Sequence, residues 1–270
     1  MKRFYISTAI PYVNGSPHIG HALEMIQTDA IARFRRFQLG TDQVFALTGS
    51  DENSLKNVRA AEEAGEDVDF FVEEHANEFR GLIAILGCSF DDFIRTREDR
   101  HMKGAQKLWS ACKPEDVYTK MYRGLYCVGC EAFYTEKEVP DGACPEHKKP
   151  LEIVEEENYF FKLSNYQTQL ETLIANDTVR IVPETRKNEL VNFIRQGLED
   201  FSISRSQERA RHWGVPVPGD DTQVMYVWFD ALSNYITALG YADDAELYKK
   251  FWVENDARVH VIGKGILRFH

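Results

Sequence analysis

Apolar positions along this chain recur with two periods, and the switches between them mark its elements. Phe4-Tyr5-Ile6-Ser7-Thr8-Ala9-Ile10 is a β-branched and aromatic run that predicts a buried strand. Pro11, Asn14-Gly15 and Pro17 break it into a turn. After Gly20, Ala22, Leu23, Met25, Ile26, Ala30, Ile31 and Phe34 fall at helical spacing and predict a helix with one apolar side. Arg33 to Gly40 closes that helix with a basic turn and a glycine stop. Val44 to Thr48 predicts the next strand. A strand, a crossover helix and a strand make a βαβ unit, hence a parallel sheet. Ligands of such sheets bind beyond the carboxyl ends of the strands.

Helices are predicted over 53–64, 68–86 and 99–113, with a short strand and turn over 90–96. Phe70, Phe71, His75, Phe79, Leu82 and Ile83 recur at helical spacing and read as core packing. The character changes near Pro114. Val117 to Tyr126 is aromatic and strand-like, and helices are predicted over 167–175 and 184–199. Met225 to Asp230 reads as a third parallel-type strand with a helix over 231–239 behind it. From Val259 the chain reads as a fourth strand running into a helix start.

With 43% apolar and 28% charged residues, the 270-residue chain can hold an ordinary globular core, in one large domain or two smaller ones. No apolar run approaches the roughly 20 residues that cross a bilayer. Met1-Lys2-Arg3-Phe4 leads straight into a strand without a signal segment. A soluble, cytoplasmic protein with no membrane partner is the expectation. The net charge of −11 argues against a surface coated for nucleic acid, though not against a local basic groove. Of five cysteines, Cys88 and Cys112 have no partner pattern and read as buried thiols. The other three stand with a histidine as Cys127-x2-Cys130-x13-Cys144-x2-His147. Two tight pairs of this kind supply the four tetrahedral ligands of a structural zinc and leave no position open. The alternative is free buried thiols.

Candidate chemistry gathers at the predicted strand ends. His18 and His21 sit where the first strand feeds its helix. Backbone N–H groups there are unpaired and the helix dipole is positive, which suits a phosphate. Imidazoles can donate to phosphoryl oxygens as negative charge builds up. Gly20 lets a flat ligand approach the backbone closely. The plainer reading is two histidines that cap a helix. Asp51, at the end of the second strand, is a candidate for a ligand ammonium; the plainer reading is an N-cap on the next helix. Trp228, Ala231, Leu232 and Tyr235 surround one strand end and one helix face. Such a small apolar pocket with an aromatic wall suits an unbranched thioether, unless these are ordinary core residues. Arg205 follows the alternating strand Phe201-Ser202-Ile203-Ser204, placing it at a strand end facing the cleft or simply in solvent.

Pro11-Tyr12-Val13-Asn14-Gly15 followed by His18-Ile19-Gly20-His21 resembles the ATP-binding signature of class I aminoacyl-tRNA synthetases. The surrounding words resemble the methionyl-tRNA synthetases in particular. So do Gly124 to Tyr134, Glu157 to Leu163, Phe201 to Arg205, Trp213 to Pro218 and Tyr226 to Ala231. The resemblance runs over nearly all of the chain but only the first half or so of a family member. It implies a Rossmann-type α/β fold, incomplete at its C-terminus, whose parallel sheet is split by a connective insertion with a zinc knuckle. That insertion is too short for the large editing domain of leucyl, isoleucyl and valyl relatives. The implied catalytic residues are His18, His21 and Arg205. Around ATP the resemblance puts His18, Gly20, His21, Glu24 and Gly263. Around methionine it puts Ile10, Tyr12, Asp51, Trp228, Ala231, Tyr235, Ile266 and His270. Zinc falls to Cys127, Cys130, Cys144 and His147, Mg²⁺ accompanies ATP, and tRNA(Met) is the macromolecular partner.

The sequence departs from the family in three places. Gly263-Lys264-Gly265-Ile266 stands where relatives have Gly-Lys-Asp-Ile, which removes an aspartate for the ATP ribose. Asn53-Ser54 replaces the commoner His-Gly. The sequence also stops short of the last Rossmann strand, the Lys-Met-Ser-Lys-Ser loop and the anticodon-binding domain. The expected organisation is a first Rossmann half over 1–116, an insertion over 117–220 with its knuckle at 127–147, and the start of the second half over 221–270. The expected chemistry is attack of the methionine carboxylate on the α-phosphate of ATP, then transfer of methionine to tRNA. The alternative is a non-catalytic or split-synthetase half that binds methionine or a partner, such as a C-terminal half, without adenylating. A cysteinyl-type enzyme would hold its zinc in the amino-acid site rather than in a knuckle.

Overall fold

The computed structural model describes residues 2–127, 129, 132–134, 139, 141–146 and 148–270. The elements in chain order are β1 (Phe4–Thr8), α1 (Ile19–Leu39), β2 (Val44–Ser50), α2 (Leu55–Ala64), α3 (Val68–Leu86), β3 (Asp92–Arg95) and α4 (Asp99–Ala111). There follow β4 (Val117–Cys127), β5 (Ala132–Tyr134), β6 (Glu152–Phe161), α5 (Gln167–Ala175), α6 (Glu184–Arg195), β7 (Phe201–Ser202), β8 (Ser204–Ser206), β9 (Pro216–Val217) and β10 (Asp220–Met225). The chain closes with α7 (Val227–Ala231), α8 (Asn234–Thr237), α9 (Glu246–Tyr248) and β11 (Arg258–Val261), then a 3-10 segment over Lys264–Phe269.

Four strands form a parallel sheet in the order β11-β1-β2-β3. Every residue of β1 and of β2 is buried, as expected where helices cover both faces of a parallel sheet. Alternation sorts the side chains. Phe4, Ile6, Val44 and Ala46 pack with Ala32 of α1 on one face. Tyr5, Phe45, Leu47 and Ile94 pack with Tyr235, Leu239 and Phe251 on the other. The fold is therefore the expected α/β class, with helices on both sides of a parallel sheet.

Between β3 and β11 lie two antiparallel sheets. One has the order β5-β4-β6-β7, with β4 and β6 paired from Val117↔Phe161 to Tyr126↔Glu152. Helices α5 and α6 follow it and share a small core of Ile174, Ile194 and Leu198. The other has the order β8-β10-β9 and packs Val215, Val217 and Met225 against Ala105 of α4. The Ser204 hydroxyl accepts from the Tyr159 amide at 2.9 Å, and Ile203 O from the Tyr226 amide at 2.8 Å, which stitches the two sheets together.

Three expectations need correction. Met225 to Asp230 is not a third parallel strand: β10 ends at Met225, its neighbours are antiparallel β8 and β9, and Val227–Ala231 is helical. The third parallel strand is β3. A short apolar run carries no period that separates strand from buried helix. Second, α1 turns much of its apolar side outward: Leu23 is 56% exposed and Phe34 57%, while Met25, Thr28, Asp29 and Ala32 face the protein. Asp29 is admitted there because Ser89 and Arg33 satisfy it. Third, Phe70 stands exposed at the start of α3, whereas Phe71 and Phe79 are core.

Candidate active site

The loop after β1 and the loop after β2 meet at the carboxyl end of the sheet. The Asp51 amide donates to Pro11 O at 2.8 Å, and Tyr12 and Asp51 form a parallel bridge. This bridge carries the first strand's exit onto the second strand's last residues. Asp51 is buried, and its carbonyl accepts from Asn57 Nδ2 at 3.0 Å. The cap of α2 is Ser54, whose hydroxyl accepts from the Lys56 amide at 3.0 Å.

His18 is the N-cap of α1. Its Nδ1 accepts from the Gly20 amide at 3.1 Å, and His21 Nδ1 accepts from the His18 amide at 3.2 Å. The two rings stack with centroids 3.8 Å apart, and His21 also meets the edge of Phe79. The plainer reading was therefore right in part: these histidines do cap the helix. The cap also fixes their chemistry. An Nδ1 that accepts from an amide leaves the proton of a neutral ring on Nε2. Burial, with the neighbouring His18 ring, holds His21 down at about 4, so at neutral pH His21 is uncharged and carries that Nε2 proton. Gly20 has a steric reason here: a Cβ would stand 2.9 Å from His18 Cε1. Glu24, one turn further on, accepts from the Ala9 amide at 2.7 Å, and burial raises it to about 7.

A second group of side chains lies between α7 and the end of the chain. Trp228 stacks on Phe269 at 4.8 Å and meets Tyr12 edge-on at 6.3 Å and His270 at 6.2 Å. His270 Nδ1 donates to Ile266 O at 3.0 Å. That leaves its Nε2 to accept from the Tyr235 hydroxyl at 2.8 Å. Burial lowers the His270 pKa and raises that of Tyr235, so both stay neutral at physiological pH. Ala231 is buried on α7, and Ile10 packs on the core cluster that contains Tyr235. The structure thus brings Ile10, Tyr12, Trp228, Tyr235 and His270 together, with Asp51 joined through Tyr12. Gly263 follows β11, whose Val261 pairs with Thr8 at the end of β1, and is the N-cap of the final 3-10 segment.

Arg205 lies in β8 and is buried rather than solvated. Its Nη1 donates to Ser202 Oγ at 2.9 Å and Ser204 O at 2.7 Å, and its guanidinium lies over the Tyr226 ring at 4.4 Å. With Asn53, Tyr126, Trp213 and Val227 it lines a cavity behind α7. Sequence reading missed what braces the Asp51 loop. Glu52 is fully buried and takes Arg95 in a two-pronged pair at 2.7 and 3.0 Å. Ser50 Oγ donates to the same carboxylate at 2.6 Å, and Arg95 also bonds Glu73. Trp213 Nε1 donates to Glu52 O at 2.7 Å, with Arg97 3.9 Å above its ring. Cys127 and Cys144 are both buried, whereas Cys130 and His147 of the expected knuckle lie outside the described residues. Among the described residues there is no cluster of three or more metal-ligating side chains. No helix among them is long and apolar enough to cross a membrane.

Fold and site define a class: a Rossmann-type α/β protein whose candidate site residues gather at the carboxyl end of a parallel sheet. A family model described as tRNA synthetases class I (M) matches residues 4–152 and 146–270, and the chain belongs to this methionyl group of class I aminoacyl-tRNA synthetases. The methionine–tRNA ligase of Brucella suis biovar 1 is 46% identical over 274 residues, spanning 100% of this chain and 52% of that protein. The methionine–tRNA ligase of Thermotoga maritima is 45% identical over 273 residues, spanning 99% of this chain and 42% of that protein. Methionyl-tRNA synthetase of Mycobacterium tuberculosis bound by methionyl-adenylate superposes with a TM-score of 0.90 at 42% identity, over 100% of this chain and 53% of that one. The free-state form of that enzyme gives a TM-score of 0.79. The chain spans about half the length of the curated relatives it matches.

Proposed function

We propose that this chain is the methionine-activating half of a methionine–tRNA ligase. One observation carries the reading: a helix that starts on two stacked histidines stands beside an aromatic pocket tied to a buried carboxylate. In this reading the methionine ammonium meets Asp51, and the thioether lies among Ile10, Tyr12, Trp228, Ala231, Tyr235, Ile266 and His270. Sulfur against aromatic edges is a favourable contact. The methionine carboxylate attacks the ATP α-phosphate, forming the acyl phosphate bond as the bond to pyrophosphate breaks. No covalent enzyme intermediate is needed, so catalysis is positioning plus stabilisation of charge. The Nε2 protons of His18 and His21, with the α1 N-terminus, meet the charge that develops on the phosphates. Gly20, Glu24 and Gly263 complete the nucleotide side, Mg²⁺ on the phosphates neutralises charge, and Arg205 supports the site from behind α7. The activated methionine then passes to tRNA(Met), with the remainder of a family member serving as the C-terminal partner.

The insertion over 117–220, between Rossmann segments 1–116 and 221–270, holds a structural zinc in this reading. Two buried thiols at a strand end and in a tight turn fit such a site: Cys127 closes β4, and Cys144 is bracketed by Lys148 N→Cys144 O at 2.8 Å and Cys144 N→Lys149 O at 2.9 Å. Cys130 and His147 would complete the set.

Methionine-dependent exchange of pyrophosphate into ATP tests the main reading. Exchange by this chain, alone or with the C-terminal half of a relative added, supports it. Methionine binding without exchange in either case favours the second reading, a half that binds but does not adenylate. Gly265, in place of the family's aspartate, is the observation on that side.

A further inference from the structure

Beneath the Trp228 helix lies a buried polar cluster for which methionine activation, as outlined, has no task. Asp230 on α7 and His101 on α4 are both 0% exposed. His101 Nε2 stands 3.7 Å from Asp230 Oδ1, and its Nδ1 is 2.9 Å from Thr237 Oγ1 on α8. From the opposite side, Asn53 Nδ2 approaches Asp230 Oδ2 at 3.4 Å and donates to Thr96 O at 3.2 Å. Helices α4 and α8 meet almost backbone to backbone: a Cβ on Gly104 would stand 2.3 Å from Thr237 Cγ2. The cluster therefore has little room to rearrange around a changed member.

A carboxylate taken out of water is costly unless donors surround it. Here the polar groups beside it come from two remote segments: His101 on α4, and the donor Asn53 in the connection between β2 and α2. Stability is a weak explanation for such a group, because well-packed apolar side chains often serve as well or better than a buried ion pair. What the cluster joins is more informative. Asp230 lies between Trp228 and Ala231 in sequence, and Asn53 is two residues beyond Asp51. A ligand held by its ammonium at Asp51 and by its side chain at Trp228 binds well only if those two walls keep a set spacing.

We propose that Asp230, held by His101 and Asn53, is a positioning residue that fixes the spacing between the Asp51 carboxylate and the Trp228 wall, and thereby sets affinity for the amino acid. This rests on the methionine-binding reading. Its signature is selective: a ligand that engages both walls feels the bridge, and one that lacks the ammonium does not.

The test is calorimetric titration of the 270-residue chain with methionine, and competition titration with its des-amino analogue 4-(methylthio)butanoate. Asp230→Asn removes the charge, and Asn53→Ser removes one donor at the opposite end should the first variant fold poorly. Each is expected to weaken methionine about tenfold, within the range for coupled neighbours, while the analogue binds as it does to the unaltered chain. Equal losses for both ligands would mean a merely structural role and overturn the proposal. So would variants that bind methionine like the unaltered chain. An unaltered chain that ignores methionine overturns the functional reading itself, and this proposal with it.

Discussion

Glu24 should make the protein less stable as pH rises through the mildly acidic range, and Glu24→Gln should abolish that dependence. The carboxyl is mostly buried behind the histidine cap and moves from 4.5 to about 7 because burial penalises the anion, an effect only partly offset by the Ala9 amide. Between those values the folded chain keeps a proton that the unfolded chain releases. The folded state binds more protons there, so stability falls with rising pH. The contribution is fully present below about pH 4.5 and is lost by about pH 7. At roughly 1.4 kcal/mol per pH unit, the gap is worth about 3 kcal/mol. Glutamine keeps an oxygen to accept the Ala9 amide and carries no charge. The variant should therefore match the unaltered chain at pH 4.5 and exceed it by about 2–3 kcal/mol at pH 8. Urea unfolding followed by circular dichroism at a series of pH values measures this. His21 and His260, both held at about 4, act in the opposite sense: unfolding lets them take up protons below about 6.5. They are common to both proteins and cancel in the difference. Stability–pH curves that run parallel for the two proteins would refute the reasoning.

Other outcomes follow from the same geometry. His21→Ala should cost about 1 kcal/mol of folding stability through the lost cap, and reduce pyrophosphate exchange at least a hundredfold with methionine affinity little changed; equal losses of exchange and affinity would assign it a structural role alone. Gly265→Asp meets no steric obstacle, since nothing lies within 4 Å of its ideal Cβ. A carboxylate there should tighten ATP about tenfold through a charge-assisted hydrogen bond, as read by calorimetry. Tyr235→Phe removes the hydroxyl that holds His270 and should weaken methionine several-fold, about 1 kcal/mol, with thermal stability nearly unchanged. Elemental analysis of freshly purified protein should find zinc, and chelation should raise amide exchange in β4 and β5 while leaving the parallel sheet protected.

Much of the fold was written locally. The run from Phe4 to Thr8, the turn and the helical spacing after Gly20 define β1 and α1, and Val44 to Thr48 defines β2. These are long or strongly patterned segments in which propensity and burial agree. Which side of α1 meets the sheet was not legible, because periodicity gives a helix two faces without naming the inner one. Asp29, a charged residue, faces inward because Ser89, sixty residues away, bonds it together with Arg33. Met225 to Asp230 failed for a related reason: its apolar residues are inner whether extended or helical, and pairing with β8 is decided elsewhere in the chain. The site followed the same division. The histidine pair and the residues around Trp228 stood out as motifs, though Trp228 was expected on a strand. Glu52 and Arg95 did not, since their pairing spans 43 positions and neither residue type is unusual where it stands.

The histidine cap ties two kinds of information together. Both Nδ1 atoms are committed to the backbone, so the atoms that start the helix also determine which atoms remain to face a ligand. An alanine at position 18 or 21 therefore deletes a helix signal along with a donor, and its effect mixes the two. Asparagine at position 18 separates them: it is among the best N-caps and can accept the Gly20 amide, yet it lacks an imidazole. Substitution tolerance here should follow local grammar as much as chemistry. The residues accepted at position 18 for folding form a broad polar set, and those accepted for catalysis a far narrower one within it.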